Sequence, residues 1–348
     1  MKAPRQPVTL RVIAERAAVS VCTVSLSLRN HPRIPAGTRN RIQTIARQLG
    51  YRPDAMISTL MARIHTRRSS SESPVLGMIL DEVAWDFSHQ VPFYQDLVRG
   101  AHERAFQLGY QVENLLLKPG TAAARALTRN LHARNIRGVI IAPVFQSQEC
   151  LLSFEGLASC ALGYSLHQPD LHRVVPNYSE ALRLSWDKLI EYGYRRPGLL
   201  VNKEGQARIH YEQYGAFAAQ QARYEGVAAA IPPLVLLQDP KDHEDECFEQ
   251  LRKWHRRHRP DVLFFPPWNF LERLKRSFRI PEEIGVITLD VVPDWSQVRH
   301  GADRIGAGAV DLIVAQIHRN ETGVPSHPKL MAIDNVWIDG FSLPRKKK

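Results

Sequence analysis

Three short segments near the start of the chain repeat apolar residues at helical spacing. The first follows Thr9 and the second follows Ser20, and both residues are good helix N-caps. The third follows Thr38, again an N-cap residue, and ends before Gly50, which suits a helix C-terminus. Two short helices joined by a tight turn and packed on a third helix form a helix-turn-helix unit with one small core.

From residue 75 onward, short apolar runs alternate with longer helical segments. Runs such as 75–80 (VLGMIL) and 138–142 (GVIIA) contain no charged residue, which is typical of strands buried on both faces of a parallel sheet. The pattern predicts a doubly wound α/β body, and its length favours two lobes over one sheet. The predicted strands are 75–80, 112–117, 138–142, 160–163, 197–201, 234–237, 261–265 and 285–289.

The net charge of +11 is concentrated in the N-terminal unit. Residues 1–74 hold 13 lysines and arginines against three acidic residues, and so carry +10 of that charge. A basic unit on a nearly neutral body is typical of a module that binds a polyanion. No acidic residue lies between Arg16 and Arg52, and the second helix presents small hydroxyl and apolar side chains, which suits the major groove of DNA.

Other classes of function lack their sequence signals. Residues 1–9 have no apolar core of a signal peptide, and the longest apolar runs fall far below the roughly 20 residues of a membrane span. The four cysteines form no CxxC pair, so we expect reduced thiols in the cytoplasm. Without a phosphate-binding glycine loop, a zinc-protease motif or a nucleophile elbow, we predict no catalytic residue, no metal, no cofactor and no enzyme activity.

Two N-terminal segments resemble the DNA-binding headpiece of the LacI/GalR family of bacterial transcription regulators. Residues 8–25 read VTLRVIAERAAVSVCTVS, and residues 38–53 read TRNRIQTIARQLGYRP. The resemblance implies that some of the matching residues contact phosphates and that others read base edges. The DNA-binding residues that it implies are Thr9, Ser20, Val21, Cys22, Thr23, Ser25, Leu26, Arg29, Tyr51 and Leu60.

The headpiece departs from the commoner family pattern at the residues that read bases. Leu26 stands where the family usually has arginine, so no bidentate contact to guanine is available there. Val21 and Cys22 replace a polar or aromatic pair. We therefore expect weaker direct readout that rests on apolar contacts, for example to thymine methyl groups. Ala18 replaces the usual turn glycine, which requires that its φ is not strongly positive.

Residues 54–63 resemble the hinge helix of the same family, with Asp54 as N-cap and Leu60 at the position of a leucine wedge. In that family, paired hinge helices insert such leucines into the minor groove of bent operator DNA. Ten residues are too few for a stable isolated helix, so we expect the segment to order only on DNA or with a partner hinge. The alternative is an ordinary linker helix with Leu60 packed on the body.

The body is similar to the family's effector-binding core, which is related to periplasmic sugar-binding proteins. Segments such as 93–112 (FYQDLVRGAHERAFQLGYQV) and 279–290 (RIPEEIGVITLD) carry the match. The resemblance implies an effector in the cleft at the carboxyl ends of the strands. The effector-binding residues it implies are Asp81, Phe93, Asn177, Arg208, Asn269 and Asp290.

Two departures affect this cleft. The arginine that commonly grips the effector is missing around 212–217 (EQYGAF), where Arg208 is the nearest candidate. The usual Asn-Asp pair is Asn269-Phe270. Either the effector differs from those of the family or the cleft takes none, and each polar residue has an alternative role as a cap or a buried structural group.

The predicted fold class is α/β: a small all-α helix-turn-helix headpiece with a hinge helix, followed by a two-lobed doubly wound α/β core resembling periplasmic sugar-binding proteins. The headpiece is residues 1–53, the hinge and linker 54–74, and the core 75–344, followed by a basic tail, 345–348, that we expect to be solvated. Lobe 1 would comprise about 75–175 plus 304–328, and lobe 2 about 176–303 plus 329–340.

The predicted function is a homodimeric transcriptional repressor in the bacterial cytoplasm, associated with the nucleoid. Each headpiece would read half of a near-palindromic operator in double-stranded DNA, under control of a small-molecule effector, for which we expect a carbohydrate. Two alternatives stay open. One is a ligand-independent DNA-binding protein whose core serves only for dimerisation, and the other is a sugar-binding protein with incidental DNA binding.

Overall fold

The N-terminal unit is a bundle of three helices around one small core. The computed structural model describes residues 8–28, 31, 33–51, 73–145, 148–265, 270–289 and 292–346. The hinge segment 54–63, including Leu60, lies outside these residues. The three helices are α1 (Leu10–Ala17), α2 (Val21–Leu28) and α3 (Ala36–Gln48). Their shared buried core is Ile13, Ala14, Ala17, Val24, Ile42 and Ala46.

The helix boundaries follow capping chemistry. The Ser20 hydroxyl accepts a hydrogen bond from the Thr23 backbone N–H at 3.1 Å, so Ser20 caps α2 as expected. The expected cap Thr38 is wrong, because α3 begins at Ala36 with Pro35 as its N-cap. Proline suits a helix entry since it has no N–H to satisfy. Gly50 follows α3 with φ +72, a conformation that glycine adopts without a steric penalty.

The turn between α1 and α2 is strained at Ala18. Its backbone lies in the left-handed region, with φ 51 and ψ 48, contrary to the expectation of a φ that is not strongly positive. The geometry lets the next amide, Val19 N–H, donate to the Ala14 carbonyl at 3.0 Å and end α1. A side chain in this conformation costs about 1–2 kcal/mol.

Lobe 1 is a six-stranded parallel sheet in the order β11-β5-β4-β3-β1-β2. The strands are β1 (Val75–Leu80), β2 (Gln111–Leu116), β3 (Gly138–Ile141), β4 (Ala158–Leu162), β5 (His172–Pro176) and β11 (Leu330–Ile333), and the helices are α4 (Glu82–Gln90), α5 (Pro92–Gln107), α6 (Thr121–Ala133) and α12 (Ala302–Arg319).

Lobe 2 is a second six-stranded sheet in the order β12-β10-β9-β8-β6-β7. Its pairs are parallel except β10 with β12, which are antiparallel. The strands are β6 (Pro197–Asn202), β7 (Leu234–Leu236), β8 (Val262–Phe264), β9 (Gly285–Leu289), β10 (Gln297–Arg299) and β12 (Val336–Ile338), and the helices are α7 (Tyr178–Glu191), α8 (Lys203–Arg208), α9 (Glu212–Arg223), α10 (Glu244–His258) and α11 (Leu271–Ser277).

The chain crosses between the lobes three times: after β5, between β10 and α12, and between β11 and β12. The expected assignment of 329–340 to lobe 2 is wrong for its first part, because β11 pairs with β5 in the first sheet. β11 and β12 are short apolar strands separated by two residues, Asp334 and Asn335, so they read as one segment in the sequence. The two strands belong to different sheets because β11 pairs with the free edge of β5, whereas β12 pairs with β10.

Two glycines bring α5 and α12 into contact across lobe 1. A Cβ atom on Gly100 would lie 2.0 Å from the Asp303 carbonyl oxygen, and one on Gly306 would lie 2.0 Å from the Leu97 carbonyl oxygen. No side chain fits at either position. Helices α5 and α12, which are far apart in the chain, therefore pack directly against each other.

The start of the basic tail contacts lobe 2 and stays exposed to solvent, as expected, with the Arg345 side chain 67% and the Lys346 side chain 43% exposed. The Lys346 ammonium lies 4.2 Å from the centroid of the Tyr194 ring and 2.8 Å from a carboxylate oxygen of Asp261. Arg345 lies over the Tyr192 ring at 4.9 Å. In the part of the chain that the structure describes, no helix has the length and apolar character needed to cross a bilayer.

We predict that Ala18→Gly stabilises the headpiece by about 1 kcal/mol, because glycine removes the left-handed strain and loses part of the gain to its greater unfolded-state entropy. Hydrogen exchange of peptides covering residues 10–28 in the full chain measures this effect. The matched control is Ala17→Gly, at a buried position inside α1, which should lower protection in the same peptides. Faster exchange in Ala18→Gly than in the parent protein would contradict backbone strain at Ala18.

Candidate functional site

Helix α2 presents the residues predicted to read bases. The Val21 side chain is 44% exposed, nearly the same as Val12 on α1 at 43%, and Cys22 is also exposed. Thr23, Ser25 and Leu26 are half-buried. The structure therefore brings these predicted contacts onto one short helix, whose opposite side packs through Val24 on the headpiece core.

The N-terminus of α2 is arranged to meet an anion. The Ser20 and Thr23 hydroxyls are 2.8 Å apart and hydrogen bonded to each other. The first-turn amides of a helix carry partial positive charge, so a phosphate placed here gains hydrogen bonds and a favourable dipole. Among residues 8–51, Glu15 is the sole acidic residue, so the field around α2 is positive.

The other predicted DNA contacts lie on different elements. Thr9 is exposed at the N-cap of α1, where its side chain makes no capping hydrogen bond. Tyr51 is half-buried against the headpiece core after α3. Arg29 and Leu60 lie outside the described residues. A link that the sequence did not indicate is Gln43, whose amide donates to the Ser27 carbonyl at 2.9 Å and fixes the end of α2 on α3.

Asp81 is a structural residue at the carboxyl end of β1. One carboxylate oxygen accepts from the Ala84 N–H at 2.8 Å and caps α4, and the other accepts from the Phe145 N–H at 2.6 Å. The side chain is buried, at 8% exposure of the residue. Both oxygens therefore hold the loops that follow β1 and β3, and a role in binding an effector stays a prediction.

Asn177 lies at the first crossing between the lobes. Its side-chain oxygen accepts from the Glu180 N–H at 3.1 Å and caps α7, while its amide donates to Asp334 at 2.8 Å. The Asn335 amide, on the third crossing, donates to the Asn177 carbonyl at 2.7 Å. Asn177 thus links two crossings, and its contact with an effector also stays a prediction.

Arg208, from lobe 2, reaches across to lobe 1. Its guanidinium donates to the Val144 carbonyl and lies 4.8 Å from the centroid of the Phe145 ring. Asp81 and Arg208 thus meet around Phe145. Phe145 was not among the predicted site residues, although it ends the apolar run 138–145 at the carboxyl end of a predicted strand.

Of the remaining predicted cleft residues, the structure describes Phe93. Phe93 lines a cavity of about 300 Å³ with Arg299 and Arg304 beside the second crossing. Asn269 and Asp290 lie outside the described residues. Within the described ranges, no group of three or more histidine, cysteine or acidic side chains is placed to hold a metal ion.

Aromatic side chains line the region between the lobes. The Tyr164 ring of lobe 1 lies 6.0 Å from the His210 ring of lobe 2, and His167 lies 4.8 Å from the same ring. Burial, and then the charge of Glu212, raise the pKa of Tyr164 to about 12. Its hydroxyl therefore stays protonated near neutral pH and can act as a hydrogen-bond donor.

We predict that Asp81→Ala lowers the free energy of unfolding by about 2–3 kcal/mol, because it removes a helix cap and leaves the Phe145 N–H without its acceptor. Chemical denaturation of the full chain without ligand measures the loss. Glu103→Ala is the control, since this carboxylate is 58% exposed and its partner Arg99 is 50% exposed; it should cost less than about 1 kcal/mol. Equal stability of Asp81→Ala and the parent would contradict the structural role.

Three family models match the chain. Residues 9–54 match "Bacterial regulatory proteins, lacI family". Residues 73–243 match "Periplasmic binding proteins and sugar binding domain of LacI family", and residues 186–336 match "Periplasmic binding protein-like domain". The matches together cover the headpiece and both lobes.

Two relatives of similar sequence are named as repressors. The HTH-type transcriptional repressor PurR of Haemophilus influenzae (strain ATCC 51907 / DSM 11121 / KW20 / Rd) is 20% identical over 340 residues, covering 92% of this chain and 95% of that protein. The lactose operon repressor of Escherichia coli (strain K12) is 25% identical over 200 residues, covering 56% of this chain and 51% of that protein.

Solved structures share the whole architecture. The transcriptional regulator CelR–cellobiose complex has a TM-score of 0.58 at 16% identity, covering 96% of this chain and 99% of that one. The lac repressor dimer bound to operator and the anti-inducer ONPF has a TM-score of 0.57 at 17% identity, covering 97% and 100%. Likeness at these identities concerns the fold, a headpiece followed by a two-lobed α/β core. With its headpiece and core both matched, the chain belongs to the LacI family of bacterial regulatory proteins.

Proposed function

We propose that the chain is a sequence-specific DNA-binding transcriptional regulator that acts as a repressor in the bacterial cytoplasm. The observation that carries this proposal is helix α2, with exposed Val21 and Cys22 beside a capped, positively polarised N-terminus. An α-helix of this kind fits the major groove, where side chains reach base edges and N-terminal amides reach phosphates.

The proposed base readout is apolar. Val21 and Leu26 have no hydrogen-bonding side-chain atom. They therefore discriminate between base pairs by contact with thymine methyl groups and by steric exclusion of other base edges. Arginines outside α2 supply the electrostatic attraction to the phosphates. Affinity should therefore depend steeply on salt while sequence preference stays moderate.

The proposed active form is a homodimer in which two headpieces read the halves of a near-palindromic operator. In this proposal residues 1–53 form the headpiece and 54–74 the hinge helix and linker, where Leu60 would enter the minor groove. One solved structure of similar fold, a lac repressor dimer bound to operator, supports this arrangement.

The proposed effector site is the cleft between the lobes, and a carbohydrate is the class of ligand that we favour. The support is the match to a sugar-binding domain and the cellobiose in a structural relative. The alternative of a ligand-independent DNA-binding protein draws on a specific observation: Asp81 and Asn177 already use their polar atoms within the protein. Effector control predicts a ligand-dependent change in operator affinity, and the alternative predicts none.

The first experiment is selection of bound sequences from random duplex DNA by the full chain at roughly physiological salt. We expect a near-palindromic motif with one fixed spacing between its halves. A selected motif without symmetry would argue against the dimer, and the absence of any motif would mean that the headpiece binds DNA through charge alone.

Val21→Ala should change the selected half-site or weaken the preference at one base pair by about 1–3 kcal/mol, because a methyl contact to the base is lost. Val12→Ala is the matched control, since Val12 has nearly the same exposure but lies on α1. Selection profiles of the two variants are compared with the parent. If both variants retain the parental motif, Val21 does not read the operator.

A further inference from the structure

Away from the crossings, a short segment of lobe 2, residues 208–210, contacts lobe 1. Arg208 ends α8 and donates to the Val144 carbonyl of lobe 1, and its guanidinium covers the Phe145 ring. His210 places its ring 4.8 Å from His167 of lobe 1. We define Arg208 and His210 of lobe 2, with Val144, Phe145 and His167 of lobe 1, as the 208–210 contact.

The 208–210 contact lies away from the crossings that join the lobes. Val144 and Phe145 follow β3, which is two strands from β5, or roughly 10 Å at the usual strand spacing. Arg208 follows β6, which is three strands from β10, or roughly 15 Å. A rotation about the crossings therefore separates these groups by more than it moves the crossings themselves.

The aromatic surface under Arg208 is built by lobe 1 alone. Phe87 and Tyr94 pack on Phe145, with ring centroids 5.1 and 5.7 Å away. Asp81 fixes the Phe145 amide. The Phe145 ring thus forms a rigid flat face beside one hydrogen-bond acceptor, the Val144 carbonyl. The Arg208 guanidinium stacks on the ring and donates to this carbonyl.

The backbone beyond Arg208 is held in an unfavourable conformation. His210 and Tyr211 both have positive φ, 54 and 59 degrees, although neither is glycine. Two consecutive residues of this kind persist when surrounding contacts hold them. Here the contacts of His210 with His167 and Tyr164 are made across the cleft, so closure of the lobes supports the strained turn.

We propose that the 208–210 contact is an interlobe latch that holds the cleft closed when no ligand is bound, with Arg208 on Phe145 and Val144 as its main part. A ligand that enters there must displace the guanidinium. To replace it, the ligand must offer a flat face to Phe145 and donate a hydrogen bond to the Val144 carbonyl. The latch is a property of the core and does not depend on what the headpiece binds.

The test uses the full chain without DNA or ligand and the variant Arg208→Ala. Small-angle X-ray scattering should give a larger radius of gyration than the parent. Hydrogen exchange in peptides covering 203–212 and, across the cleft, 142–145 should become about fivefold faster, the factor expected from the loss of one hydrogen bond. Arg208→Lys, which keeps a charged donor but loses the planar stacking, should give a smaller shift in the same direction.

Arg273→Ala is the matched control. Its guanidinium lies 4.4 Å from the Phe248 ring, but both residues belong to lobe 2. This variant should leave the radius of gyration unchanged. If Arg208→Ala and Arg208→Lys both scatter like the parent, the latch is overturned, even where exchange in 203–212 alone becomes faster, because that result describes local fraying. None of these readouts requires operator binding. A negative DNA selection therefore does not contradict the latch, and a negative result for the latch does not contradict the proposed DNA-binding function.

Discussion

The arrangement of the core depends on three crossings that are hydrogen bonded to one another. Asn335 donates to the Asn177 carbonyl at 2.7 Å and to the Glu180 carboxylate at 2.9 Å, so the third crossing is tied to the first. The His300 ring, near the second crossing, bonds Asn335 and packs on Tyr178. Because three short segments cannot stretch independently, the lobes can change their mutual orientation mainly by rotation about this network, and the cleft opens or closes on the far side.

This constraint explains how polar residues near the cleft are used. Asn177 and Asp81 both end strands of lobe 1, where an effector ligand is expected, yet each has a structural function in the protein: Asn177 at the crossings and Asp81 between two loops. The groups that face across the cleft are instead rings and the Arg208 guanidinium. In the proposed cleft site, the groups available to a ligand around Phe145 are therefore aromatic faces and backbone acceptors.

The headpiece is stabilised by a small core of its own. Its core has six fully buried apolar side chains, five of them on α1 and α3, so its stability depends on local details such as the Ser20 cap and the turn at Ala18. The same details orient α2, since the turn sets its angle to α1 and Gln43 fixes its far end. The residues that contact DNA in the proposed function are thus positioned by residues that do not contact it.

The sequence by itself determined the elements whose evidence is local. The strands Val75–Leu80 and Gly285–Leu289 were predicted with their observed bounds, because apolar runs of this length report burial on both faces of a sheet. Short strands such as Gln297–Arg299 were missed, since a single apolar residue between two polar ones is too short to show a periodicity. Only the tertiary structure decided that Leu330–Ile333 joins the first sheet and that Arg208 contacts Phe145. It also decided that both carboxylate oxygens of Asp81 accept hydrogen bonds within the protein. These facts depend on contacts between segments distant in the chain, and spacing along a sequence records which residues are buried but not what they are buried against.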